Sequence, residues 1–212
     1  MLTKIKHKVQ ELISVEARLI YSAGLKPNMV SILGAALGLL SGVAYWAAGS
    51  LSNSLEAYRI YVVLAALLLS LSGFCDALDG ALARLYGETT ILGGFLDSLL
   101  DRYVDAAVLC GLTIGGICDT IWGLLALLGS LLTSYVRARS EAAGIPMESI
   151  GVMERAERIL VIIVASIVNI IWVETSALKI SVIFLAAASN FTVIQRTFYF
   201  RKKISRRVEK TE

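Results

Sequence analysis

The chain has 212 residues, 57% of them hydrophobic and only 17% charged, with a net charge of +3 and a mean hydropathy of +0.73. Soluble domains carry about 45–50% apolar residues, so this composition excludes an ordinary soluble domain and predicts an all-α integral membrane protein. The positive charge is not arranged as a basic stripe with interleaved aromatics, which argues against nucleic-acid binding.

Residues 1–22 carry Lys4, Lys6, Lys8, Glu11, Glu16 and Arg18 among Leu2, Ile5, Val9, Leu12 and Ile13. That is too charged to span and shows no cleavable signal pattern. It reads as an amphipathic helix, either lying at the membrane interface or packed on the bundle, and its basic face favours the interface. Gly24, Lys26 and Pro27 break the chain before the first apolar stretch, since Gly ends helices and Pro starts them. Six stretches then approach the roughly 20 apolar residues a membrane helix needs: Met29–Gly49, Leu55–Cys75, Gly93–Gly115, Ile121–Ala138, Ile159–Trp172 and Leu178–Thr197. The fifth is short. The whole chain, 1–212, reads as one domain, with a six-helix bundle over residues 29–200.

Of the 20 Lys and Arg residues, all but Arg59, Arg102 and Lys179 fall in the terminal segments, in the loops after the second and fourth stretches, or at the last residues of the fourth and sixth stretches (Arg137 and Arg196). The positive-inside rule puts those regions, and both termini, on the cytoplasmic side. Trp46, Trp122 and Trp172 fall at the opposite interface. The cationic end at Arg201–Lys210 suits anionic lipid. Cys75, Cys110 and Cys118 lack C-x-x-C spacing, which argues against zinc and disulfides. Cys75 is best read as a packed thiol, with a ligand role beside Asp76 as the alternative.

Four aspartates interrupt the apolar pattern: Asp76, Asp79, Asp97 and Asp101. Spacings of three and four place each pair on one helix face. An unpaired carboxylate in the bilayer core costs on the order of 3 kcal/mol, and clustered carboxylates repel unless a cation sits between them. Oxygen-only ligands suit Mg²⁺ or Mn²⁺. Two such ions would neutralise the four acids and clamp a pyrophosphate. The one histidine, His7, is far from them in sequence, so a carboxylate must serve as base. Gly80, Gly93 and Gly94 leave room for close approach of a ligand, and Arg84 offers a fork for a phosphate oxygen. Intramembrane acids also mark ion- or proton-coupled transporters, a second class that this patterning leaves open.

The residues Asp76-x-x-Asp79-Gly80-x-x-Ala83-Arg84, an eight-residue gap, then Gly93-x-x-x-Asp97-x-x-x-Asp101 resemble the signature of the CDP-alcohol phosphotransferases. The resemblance implies a dimeric six-helix membrane enzyme that moves a phosphatidyl-type group from a CDP-lipid to an alcohol and releases CMP. It implies that Asp76, Asp79 and Asp97 hold one metal ion and that Asp97 is shared with a second. It implies too that Asp101 touches the second and acts as general base. The CDP-lipid pocket falls to Asn28, Met29, Val30, Ser31, Asp79, Gly80, Ala83, Arg84, Thr90 and Gly93. Segments 134–141 and 154–158, with Gln195-Arg196, resemble the phosphatidylinositol-phosphate synthase branch. There Arg137, Arg158 and Arg196 take the phosphate of inositol 1-phosphate. Positive-inside placement alone is the competing account of these arginines. Bacterial members often carry lysine where Arg137 stands, which changes the phosphate geometry. The donor is CDP-diacylglycerol in bacterial members and CDP-archaeol in archaeal ones, and general resemblance favours the archaeal form. A phosphatidylglycerophosphate synthase using glycerol 3-phosphate is the alternative within the family. Arg139, Arg155 and Glu141 read as loop salt bridges. Asp105 is open between a supporting hydrogen bond and a pair with Arg102.

Overall fold

The computed structural model describes residues 21, 24, 26–147 and 150–208; the expected interfacial helix lies outside them except for Tyr21. Among the described residues there are six α-helices and no strand. They are α1 (Pro27–Ser50), α2 (Leu55–Tyr86), α3 (Ile91–Ile114), α4 (Thr120–Ala142), α5 (Arg155–Ile171) and α6 (Ala177–Val208), with a 3-10 turn at Val173–Thr175.

Local chemistry sets the helix ends. Pro27 opens α1 behind an extended Lys26, where its missing N–H costs nothing. The Ser54 hydroxyl accepts from the Ala57 amide to start α2. Gly87, at φ 65°, ends it in the left-handed conformation that glycine adopts without a Cβ clash. The Thr90 hydroxyl accepts from the Gly93 amide at 2.9 Å and starts α3. The Glu154 amide donates to Glu157 Oε2 at 3.0 Å at the start of α5, half of a capping box. That cap starts α5 four residues before the expected Ile159 and adds Arg155 and Arg158 to the helix.

The helices close a ring. α1 packs on α2 and α3, α3 on α4, α4 on α6, α6 on α5, and α5 back on α2. α1 fits between α2 and α3 because its inner stripe is small. A Cβ on Gly42 would lie 2.5 Å from the Ala107 carbonyl oxygen of α3, the close backbone approach that small residues permit in membranes. Polar stitches cross the interior: the Tyr45 and Ser166 hydroxyls meet at 2.7 Å, and Asn190 Nδ2 donates to the Leu125 carbonyl at 2.9 Å. Outward faces stay apolar, with Ile32, Leu40, Val43 and Leu67 each more than half exposed, a surface suited to lipid more than to water.

Four helical stretches are long and apolar enough to cross a membrane: Pro27–Ser50, Leu55–Tyr86, Thr120–Ala142 and Val173–Arg207. This narrows the expected six. α3 is long enough but carries Asp97, Asp101, Arg102 and Asp105, and α5 has only 17 residues. α2 and α6 have 32 residues each, about 48 Å at 1.5 Å per residue, so both outrun a hydrocarbon core of about 30 Å. Their projecting ends carry the charged residues.

Gly42→Leu is expected to lower stability by about 1–3 kcal/mol, the usual cost of overpacking. A thermal melt in detergent reads it, and an unchanged melting temperature would mean that α1 and α3 are not in tight contact.

Candidate active site

The Gly87–Thr90 turn reverses the chain, so the last turns of α2 and the first turns of α3 bring their acids to one level. Asp76, Asp97 and Asp101 each offer a carboxylate oxygen, and these oxygens all lie within 4.8 Å of one another. Three hard oxygen donors at that spacing fit a divalent ion of the Mg²⁺ or Mn²⁺ type. Asp79 stands beside this group and not within it. It is 6% exposed and accepts from Ser31 Oγ of α1 at 2.5 Å. The expected metal set therefore appears as three clustered carboxylates with a fourth tied to α1.

The acids line a narrow cleft that joins two larger spaces. On one side a cavity of about 180 Å³ is lined by Asn28, Ser31, Asp79, Gly80, Ala83, Arg84, Thr90, Gly93 and Asp97. On the other a cavity of about 660 Å³ is lined by Asp76, Asp97, Asp101, Arg137, Arg155, Arg158 and Arg196, among others. The cleft holds all four acids. Asp79 thus faces the smaller space, Asp76 and Asp101 the larger, and Asp97 both.

Of the expected nucleotide-side residues, two do not reach the smaller cavity. Met29 points outward, 51% exposed, and Val30 is buried with Cys75, Leu78 and Leu82. Helical geometry is the reason: residues 28 and 31 share a face, and 29 and 30 do not. Gly80 is a cradle for Arg84, whose Nη1 would lie 3.3 Å from a Cβ placed there. A Cβ on Gly93 would come within 3.1 Å of Asn28 Oδ1. Cys75 is buried and packed, as the thiol reading expected. Tyr21 stacks on Tyr86 with ring centroids 3.6 Å apart and donates to Glu88 Oε1 at 3.0 Å, which pins the turn. That hydrogen bond raises the Tyr21 hydroxyl above its ordinary pKa of 10.0.

The three expected acceptor arginines line one cavity but differ in their bonding. Arg196 is 2% exposed and donates to the Ile150 carbonyl, the Thr133 carbonyl and Glu154. It braces the segment before α5 against α4. Arg137 pairs with Glu141 at 2.8 Å near the surface. Arg158 is 4% exposed and donates through Nη2 to Asp105 at 2.6 Å, while its Nε and Nη1 are buried without a hydrogen-bond partner. Asp105 also accepts from Ser130 at 3.0 Å. It therefore supports Arg158, and Arg102 pairs with Asp101 instead, at 3.3 Å.

Arg155 is the residue that sequence reading placed wrongly. Instead of a loop salt bridge, its guanidinium spans the acidic cluster, with Nη1 2.9 Å from Asp76 Oδ2 and Nη2 2.9 Å from Asp101 Oδ1. The signal lay in Glu154-Arg155-Ala156-Glu157-Arg158, where a spacing of three places Arg155 and Arg158 on one face once the helix starts early.

A family model described as CDP-alcohol phosphatidyltransferase matches residues 25–194. An archaetidylinositol phosphate synthase of Pyrococcus horikoshii is 38% identical over 204 residues, 96% of this chain and 98% of its own. Its counterpart from Methanothermobacter thermautotrophicus is 43% identical over 143 residues, 68% of this chain and 72% of its own. Among solved structures, the Mycobacterium tuberculosis phosphatidylinositol phosphate synthase with CDP-DAG bound is similar. Its TM-score is 0.75 at 29% identity, over 90% of this chain and 94% of that one. The same enzyme in complex with manganese and citrate has a TM-score of 0.73, also at 29% identity, over 89% of this chain and 88% of that one.

Asp97→Asn is expected to weaken Mn²⁺ binding by more than about tenfold, because loss of a partner one bond further out already costs about that much. Electron paramagnetic resonance titration of Mn²⁺ measures it, and an unchanged affinity would remove Asp97 from the ligand set.

Proposed function

The chain belongs to the CDP-alcohol phosphatidyltransferase family, and from that membership we propose that it transfers a lipid phosphate group from a CDP-lipid to inositol 1-phosphate, with release of CMP. The observation that carries this reading is the pair of cavities on either side of one acidic cleft. Neither the family nor its relatives supports the transport alternative.

A displacement at phosphorus needs a leaving group on one side, an attacking hydroxyl on the other, and charge stabilisation between them. The smaller cavity suits the nucleotide, with Gly80 and Gly93 leaving backbone room and Arg84 within reach of a phosphate oxygen. The larger cavity suits an acceptor that carries its own phosphate, since five arginines line it, Arg137, Arg158 and Arg196 among them. Arg158 brings two unused buried N–H groups to that wall. Divalent cations held by Asp76, Asp97 and Asp101, with Asp79 beside them, supply neutralisation of the pyrophosphate oxygens. We assign two Mg²⁺ ions to this role, with Mn²⁺ able to replace them.

Asp101 lies on the acceptor side of the cleft, where a general base must stand. The acceptor hydroxyl gives its proton to Asp101, its oxygen bonds to the lipid-side phosphorus, and the bond from that phosphorus to CMP breaks. Proton transfer of this kind is worth about 10²–10⁴ in rate.

The same reading covers the setting. We infer six membrane passes, with α3 and α5 crossing as members of the same ring as the four apolar helical stretches, in a cell membrane with both termini and the active site cytoplasmic. CDP-archaeol is the favoured donor, on the likeness to the Pyrococcus horikoshii enzyme over 96% of this chain, and CDP-diacylglycerol is its bacterial equivalent. A homodimer is the expected assembly.

The test is a radiolabel transfer assay offering CDP-archaeol and CDP-diacylglycerol against inositol 1-phosphate, glycerol 3-phosphate, free inositol and serine. Transfer to inositol 1-phosphate above the rest is expected, and preference for glycerol 3-phosphate would replace the acceptor assignment. Asp101→Asn is expected to reduce turnover by about 10²–10⁴ with CDP-lipid binding largely kept. Retained turnover would rule Asp101 out as the base.

A further inference from the structure

We propose that Arg155 and the divalent cation compete for the same two carboxylates, and that the cation, on binding, releases this guanidinium to the acceptor's phosphate. The inference deepens the function proposed above and rests on it.

Two of the three clustered carboxylates already carry a partner. Arg155 Nη1 lies 2.9 Å from Asp76 Oδ2, and Nη2 lies 2.9 Å from Asp101 Oδ1. The oxygens that converge with Asp97 belong to these same side chains. Each carboxylate has a second oxygen, so the exclusion is electrostatic and not steric. A guanidinium and a divalent ion sharing two carboxylates repel at close range, where little water intervenes to screen them. Arg155 is 14% exposed at its side chain, so solvent takes up little of that repulsion.

The structure also supplies a destination for the displaced group. Arg155 lines the larger cavity together with Arg137, Arg158 and Arg196. Its Nε is buried without a hydrogen bond and stands 3.9 Å from Asp105 Oδ1, whose other oxygen is taken by Arg158 and Ser130. The two close contacts that hold Arg155 are therefore made by Asp76 and Asp101, the two groups a cation would claim, with Asp105 as a more distant ion-pair partner. A freed guanidinium at this place adds a fork for a phosphate dianion next to the unused N–H groups of Arg158. Cation binding and phosphate binding then favour one another through one side chain, and linkage makes the effect equal in both directions.

The experiment uses full-length protein in detergent micelles. Mn²⁺ affinity is measured by paramagnetic resonance with and without inositol 1-phosphate, and inositol 1-phosphate affinity by calorimetry with Mn²⁺ or with EDTA. Arg155→Gln is expected to bind Mn²⁺ at least about fivefold more tightly than the native chain, the lower end of ordinary coupling between sites. It is also expected to lose at least about fivefold of the gain that Mn²⁺ gives to inositol 1-phosphate. Arg155→Lys keeps the charge but cannot fork across two carboxylates, and an intermediate Mn²⁺ affinity is expected. Mn²⁺ affinity that does not rise in the Gln variant overturns the competition. If that variant does not fold, an unchanged affinity in the Lys variant does the same. Tighter Mn²⁺ binding with an undiminished gain for inositol 1-phosphate overturns the hand-over. Failure of the transfer assay with the Mn²⁺ shift intact would remove the acceptor assignment and leave the competition standing.

Discussion

Carboxylates that approach within 4.8 Å of one another inside a helical bundle set the terms for everything around them. Two like charges about 4 Å apart repel by about 4 kcal/mol at an effective dielectric of about 20, and three such pairs meet here. Within α2 and α3, only Arg102, 3.3 Å from Asp101, offsets that directly. The fold meets the constraint in layers. α1, with a small inner stripe, wedges α2 and α3 to either side, so the acids face one another across a cleft instead of packing in contact. Ser31 of α1 takes up Asp79. Arg155, from α5 packed on α2, reaches in to Asp76 and Asp101. Asp105, one turn deeper, is met by Arg158 and Ser130. The acids are thus met by hydroxyls from α1 and α4 and by guanidinium groups from α5.

The features legible in the sequence were those written locally. Asp76 with Asp79, and Asp97 with Asp101, declare their shared faces through spacings of three and four, because a helix repeats every 3.6 residues. The turn between them is equally readable, since Gly87 supplies the left-handed residue and Thr90 the cap that restarts the chain. Helix positions followed from apolar runs, and the structure keeps all six to within a few residues except α2, α5 and α6. α2 and α6 run on past their apolar stretches in polar residues, where hydropathy has no signal. At α5 the start depends on Glu157 capping the Glu154 amide, a pattern that hydropathy also does not carry.

What could not be read was the partner of each charge. Arg155 and Arg137 look alike as positive-inside residues of one loop, yet one sits in the acidic cluster and the other pairs with Glu141 at the surface. The difference comes from the packing of α5 on α2, a contact between segments about 80 residues apart that no local spacing encodes. Met29 and Val30 illustrate the opposite error. A motif read as a continuous string assigns four neighbours to one pocket, whereas a helix presents only Asn28 and Ser31 to it.

The arginines of the larger cavity share a sign but not a task. Arg196 spends its donors on the Ile150 and Thr133 carbonyls and on Glu154. A buried guanidinium bonded in this way fixes the wall between α4 and the segment leading into α5, and it has little left for a ligand. Arg158 is held through one nitrogen and keeps two others free, and a buried donor without a partner is costly. That cost is recovered when an anion arrives. In the function proposed above, recognition of the acceptor's phosphate would therefore fall most heavily on Arg158, with Arg196 setting the position of the wall against which it acts. The division follows from desolvation: in a cavity of this kind the affinity lies with the donors that the protein has left unsatisfied, not with the number of cations along its surface.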